Sequence, residues 1–159
     1  MPPKLAFAGI AQPILLLHAL VAFALCGAAT HHVVVAAGYL RGAFRVRLAR
    51  VYAVVTAACY GAAVGLGMLV YPMYRYFVRG LYFDRHVVWA SNLFDIKENY
   101  AALGLPLVAA VLVLSRRFDP REAPEMRRPY LVLVSAVAAL VWFVAVSGLV
   151  ITLQRGVPA

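Results

Sequence analysis

The stretch SNLFDIKENYAALGLPL, residues 91–107, sets two acids and a lysine against an apolar tract, and the chain's chemistry is sought there first. On a helix, positions i, i+3 and i+7 share a face, so Asp95, Glu98 and Ala102 line up while Lys97 points elsewhere. Asn99 extends the polar surface beside them. Asp95 has a structural role available, because Asn92 is a good N-cap and an acid three residues later completes a capping box. The helix dipole favours an anion at that end as well. Glu98 is different. The 16 residues from Tyr100 to Ser115 make about 24 Å of helix, short of a hydrocarbon core of roughly 30 Å. Spanning that core draws the tract back to about Ile96 and puts Glu98 just inside the oily edge. An intramembrane acid is a functional candidate, for a proton path or a polar contact. Local thinning of the bilayer would instead leave it wet.

The histidines offer a second chemistry. His18, His31 and His32 all fall in the first apolar run, and His18 and His32 are 14 residues apart. Four turns separate them, so they share a helix face about 21 Å apart along the axis. That spacing resembles the helices of b-type cytochromes that hold two stacked haems, and the resemblance rests on this one pair. It implies haem b ligation. The other runs contain no histidine to face them, and His86 lies in a connection, so a haem would need His–Met ligation, a partner subunit or a homodimer. His18 with Met68 is the pair matched in depth on one side. His32 with Cys59, beside His31, is matched on the other, where imidazole and sulfur would suit copper.

A third candidate surface lies in residues 71–92, YPMYRYFVRGLYFDRHVVWASN. Tyr74, Tyr82 and Trp89 alternate with Arg75, Arg79, Asp84, Arg85 and His86. Aromatic rings with polar ends prefer the headgroup zone of a bilayer, and arginines snorkel to phosphates. The same composition fits an amphipathic segment on a membrane surface and a docking surface for a partner.

The elements that must position these groups follow from length and polarity. A helical span needs roughly 20 apolar residues, and four runs qualify, at about 13–40, 48–74, 92–115 and 129–154. In lipid only helices and closed barrels satisfy the backbone, and no run alternates with period two. The expected architecture is therefore all-α, an integral membrane four-helix bundle forming one domain over 1–159, with a short amphipathic aromatic segment between helices 2 and 3. Pro106 should kink the third helix near Ala102. Gly61 and Gly65 form GxxxG in the second run, a pattern that lets helices approach closely. The N-terminal apolar stretch continues past Leu40, too long for a signal h-region of roughly 7–15 residues, and reads as a retained helix.

Composition agrees. The chain is 65% hydrophobic and 13% charged, against about half and a quarter for soluble domains. Its net charge of +9 raises nucleic acid as a partner, but the basic residues flank apolar runs and form no single basic face, so lipid headgroups are the expected partner and nucleic acid is not. The first and third connections carry nine arginines, and the opposite side carries six basic residues including Lys4. Positive-inside bias then puts both termini outside, in a bacterial-type inner or plasma membrane. Cys26 and Cys59 sit in apolar runs and read as packing residues. No Walker loop, GxGxxG, HExxH or GxSxG occurs. The sequence thus points to a non-enzymatic accessory subunit or small binding module, partnered by other membrane subunits or a second copy. A redox or metal-handling protein is the alternative.

Overall fold

The computed structural model describes residues 8–156. Four long helices account for most of them: α1 (Ala11–Leu40), α2 (Val46–Met73), α3 (Val88–Arg117) and α4 (Arg127–Gln154). Each has 28 or 30 residues, about 42–45 Å at 1.5 Å per residue. All four are long and apolar enough to cross a membrane.

The helices run alternately up and down, and each packs on two neighbours: α1 on α2 and α4, α3 on α2 and α4. Side-chain rungs fix the antiparallel register. His18 meets the Ala63 carbonyl and His31 meets Tyr52 between α1 and α2. Arg50 meets the Ser115 carbonyl and Tyr60 the Ala101 carbonyl between α2 and α3. Tyr100 packs on Phe143 between α3 and α4, and Thr30 accepts from Trp142 between α1 and α4.

Alanines are prominent among the inward residues, and many large apolar side chains face outward. Ala28, Ala29, Ala36, Ala49, Ala53 and Ala138 are buried, whereas Phe23 is 80% exposed, Met68 71% and Leu153 75%. Helices apolar on every side need an apolar solvent, and small inward residues let backbones approach when hydrophobic drive is absent. The closest approach is not at the GxxxG pair. A Cβ on Gly61 or Gly65 would meet nothing within 4 Å, so that face of α2 is open. Gly104 on α3 instead receives the Tyr60 ring, and a Cβ there would fall 1.9 Å from its Oη. Tyr60 Oη donates to the Ala101 carbonyl at 2.7 Å, one residue before the carbonyl that Pro106 deprives of its helical donor. The helix is continuous through Pro106.

At the end holding the 41–45 and 118–126 connections, α1 stops in a Schellman motif. Gly42 takes φ +81°, the Ala43 N–H donates to the Gly38 carbonyl at 2.9 Å, and the Gly42 N–H to that of Tyr39 at 3.3 Å. Tyr39, Phe118 and Tyr130 close this end, with Tyr39 stacked on Tyr130 at 5.9 Å.

At the opposite end stands an amphipathic aromatic segment between the second and third long helices, as expected, and it is helical. α2 passes, two residues after Pro72, into a π-helical segment, Tyr74–Phe83, followed by the turn Asp84–His86. The Asp84 N–H reaches back to the Arg79 carbonyl, the i→i−5 bond of that wider coil. The segment is amphipathic: Tyr74, Val78 and Phe83 are buried, and Arg75, Tyr76 and Leu81 are exposed. The chain reverses at Val87 (φ −143°, ψ 62°), and α3 begins at Val88, one turn before Asn92. Asn92 is therefore an exposed residue inside the helix and not its N-cap.

Candidate functional site

The tight hairpin at Val87 brings the two polar stretches of the sequence against each other around Phe94. Phe94 is 4% exposed. Tyr74 stacks on it at 5.0 Å and 13°, and Tyr71 at 6.0 Å and 22°. The Arg79 guanidinium carbon and Lys97 Nζ approach the same ring at 5.9 and 5.3 Å, distances at which a ring quadrupole attracts a cation. The hairpin explains the register: once residues 74–86 are helical, Arg79 falls opposite the second turn of α3.

Asp95 takes its partner from there. Arg79 Nη1 and Nη2 donate to its two carboxylate oxygens at 2.5 and 2.8 Å. This two-pronged bond is geometrically stronger than a single contact, although the Asp95 side chain is 49% exposed, which holds its worth near 1 kcal/mol. Asp84 lies 3.7 Å from Arg79 Nε and accepts from Ser91 Oγ. Asp95 is thus a clasp for the hairpin and does not act in a capping box. Glu98 has a separate partner, Lys97 Nζ at 2.5 Å. Lys97 does not point away as helical spacing suggested. Its side chain is 17% exposed, lying between the Phe94 ring and Gly148 of α4. Asn99 is exposed.

The remaining residues of this end surround the clasp. Arg75 donates to Tyr71 Oη at 2.8 Å. Tyr82 is covered by the Arg155 guanidinium at 4.7 Å and lies 5.3 Å from the His86 ring. Arg85 and His86 are exposed, as are Tyr76, Leu81, Val88 and Trp89, the last at 51%. Tyr74 is buried, and its hydroxyl has no hydrogen-bond partner among the described residues. A shallow cleft of about 520 Å³ runs between Pro72, Arg75, Tyr76, Gly80 and Leu81.

The histidines are not gathered. His18 Nδ1 is 2.9 Å from the Ala63 carbonyl, and its ring lies against Gly67. The neighbouring Met68 is 71% exposed, outward from the bundle. His31 is exposed and pairs with Tyr52 Oη at 3.2 Å. His32 is 1% exposed, with Nε2 2.7 Å from Tyr130 Oη. Cys59 is half-buried. Among the described residues, no three His, Cys, Asp or Glu side chains come together to hold a metal ion. Met68, paired in depth with His18, stands 71% exposed, and Cys59, paired with His32, is half-buried. His18, His31 and His32 each make an interhelical polar contact, a common role of imidazole in a helix bundle.

The sequence reading did not single out Phe94, Ser91, Tyr60, Gly104, Tyr130 or Gly42. Gly42 carries a local signal, a glycine just past a helical run. The others depend on what stands opposite. Comparison with known proteins returns no matching family model, no matching curated protein and no matching solved structure.

Proposed function

We propose that this chain is an integral membrane four-helix protein that acts as an accessory subunit or small binding module of a larger membrane assembly, with no catalytic role of its own. The membrane reading is supported by helices that stay apolar on their outward faces, where Phe23, Met68 and Leu153 stand exposed. The docking reading is carried by one observation. The three acids near the hairpin are engaged by Arg79, Ser91 and Lys97 of the same chain, while Tyr76, Leu81, Val88 and Trp89 stand exposed around them. Pairing consumes the charges that an acid–base site would need free. Rigid aromatic and apolar groups on a fixed polar base are what a protein interface uses as anchors. In this reading the hairpin end and both termini face outward, and the arginine-rich connections face the cytoplasm.

The test is isolation of the tagged chain from its native membrane in mild detergent, with subunit composition read by mass spectrometry. A stoichiometric partner should accompany the wild type. Leu81→Ala/Trp89→Ala should lose it while the outward-facing Leu149→Ala keeps it. A monomeric wild type, or a complex indifferent to the hairpin variant, would overturn the proposal. Self-association, with Gly61 and Gly65 buried in the contact, would replace it by a homodimer.

A further inference from the structure

The two ends of the bundle treat charge in opposite ways. All three ion pairs among the described residues lie at the hairpin end. The other end carries nine arginines and three acids, Asp119, Glu122 and Glu125, and none of the nine forms an ion pair there. Two are held by neutral groups: Arg50 Nε donates to the Ser115 carbonyl at 3.2 Å, and Arg127 Nε to that of Pro120 at 2.7 Å. Arg45, Arg47 and Arg121 have no side-chain partner among the described residues. With Arg50 they line a cleft of about 690 Å³ whose lining also includes Phe44 and Val51, the Phe44 ring lying 4.7 Å from the Arg127 guanidinium. The start of α2 opens into the same cleft, with no side-chain cap and no acid in its first turn. Its first N–H groups and the helix dipole therefore add to the attraction for an anion. Asp119 is the one carboxylate on the rim, and one of its oxygens is occupied by the Arg121 backbone N–H at 2.9 Å.

We propose that this arginine-lined cleft at the start of α2 binds the phosphate headgroup of an anionic phospholipid, with an acyl chain laid against Phe44 and Val51. Guanidinium forks match phosphate oxygens in pairs. Apolar side chains in the same lining distinguish a lipid from a soluble anion. The cleft's position fits as well, because it opens where the apolar length of α2 begins, the level of headgroups for a membrane-spanning helix. Basic clefts between helices at that level are suited to anionic headgroups.

The assignment rests on the membrane reading above and is independent of the partner proposed for the hairpin. The full chain in mild detergent is titrated by native mass spectrometry with dioleoylphosphatidylglycerol, with dioleoylphosphatidylcholine and with inorganic phosphate. The anionic lipid should bind at least about tenfold more tightly than the zwitterionic one. Arg45→Gln/Arg47→Gln/Arg121→Gln should abolish that preference. Arg41→Gln/Arg116→Gln/Arg128→Gln removes equal charge from the same end outside the cleft and should keep it. Matching thermal unfolding of the two triples shows that both are folded, and an Arg→Lys triple in the cleft should retain part of the preference. Equal binding of the two lipids, equal losses from both Gln triples, or displacement of the anionic lipid by equimolar phosphate would each overturn the proposal. Release of the chain from membranes by alkaline wash without detergent would instead sink the membrane reading.

Discussion

Gly104→Ala is the sharpest steric test of this packing. An added methyl carbon would sit 1.9 Å from Tyr60 Oη, 2.5 Å from its Cζ and 2.9 Å from Leu140 Cδ2. The first two contacts are far inside van der Waals range, so the Tyr60 ring must move. Tyr60 is 5% exposed, and it cannot move without giving up its 2.7 Å bond to the Ala101 carbonyl. Overpacking of this kind costs about 1–3 kcal/mol, and the lost hydrogen bond about 1 kcal/mol more. The expected destabilisation is therefore about 2–4 kcal/mol, read as a fall in the thermal unfolding midpoint in mild detergent. Tyr60→Phe alone should cost about 1 kcal/mol. In the Gly104→Ala background it removes the worst clash and should recover part of the loss, a coupling of about 0.5–3 kcal/mol in a double-mutant cycle. Gly61→Ala and Gly65→Ala, with open space at both positions, should leave the monomer's midpoint unchanged or slightly raised. The packing described here is refuted if Gly104→Ala is neutral and Gly61→Ala is costly.

Arg79→Gln should destabilise the hairpin by about 1 kcal/mol and speed amide exchange across 74–91, and adding Asp95→Asn should cost little more, because the clasp is already open. Tyr130→Phe strands the His32 Nε2, on a side chain 1% exposed, and should cost about 1–3 kcal/mol; if Tyr130→Phe and His32→Ala are additive in chemical unfolding, the pairing is not there. Gly42→Ala forces a Cβ into φ +81° and should lower stability by about 1–2 kcal/mol, which equilibrium unfolding would detect.

The four helices were legible because length and apolarity alone define a span, and both survive any choice of neighbour. The faces of those helices were not. GxxxG marks small residues, and Gly61 with Gly65 satisfies it, yet the glycine that admits a neighbouring ring is Gly104, whose surroundings in sequence are unremarkable. Its role exists only because Tyr60 stands opposite on α2. The same holds for His18 and His32. Their spacing predicts one shared face of α1, but α1 meets two helices, and His18 turns to the Ala63 carbonyl of α2 while His32 turns to Tyr130 of α4. Asp95 was misread for another reason. Asn92 looks like a helix start, and the real reversal at Val87 carries no glycine, proline or capping residue to announce it. Once α3 begins a turn earlier, Asp95 is too deep to cap and comes into reach of Arg79, 16 residues away in sequence.

That one shift also answers why so apolar a chain keeps ionisable groups beside a span. Buried or half-buried charges persist only when paired, and at the hairpin end each acid has found a partner within the chain. With those charges paired, the exposed aromatic groups of this end are what the proposed docking reading offers to a neighbour. The arginine-rich end is in the opposite condition. Its cations repel one another across a short rim, and the three acids there offer them no ion pair. In water, counterions would screen that repulsion over roughly 8–10 Å. At a bilayer surface the counterions are lipid phosphates fixed at the depth where the helices become apolar. The asymmetry of pairing thus underlies both proposals: a protein partner for the end whose charges are paired within the chain, and anionic lipid for the end whose arginines form no ion pair among the described residues.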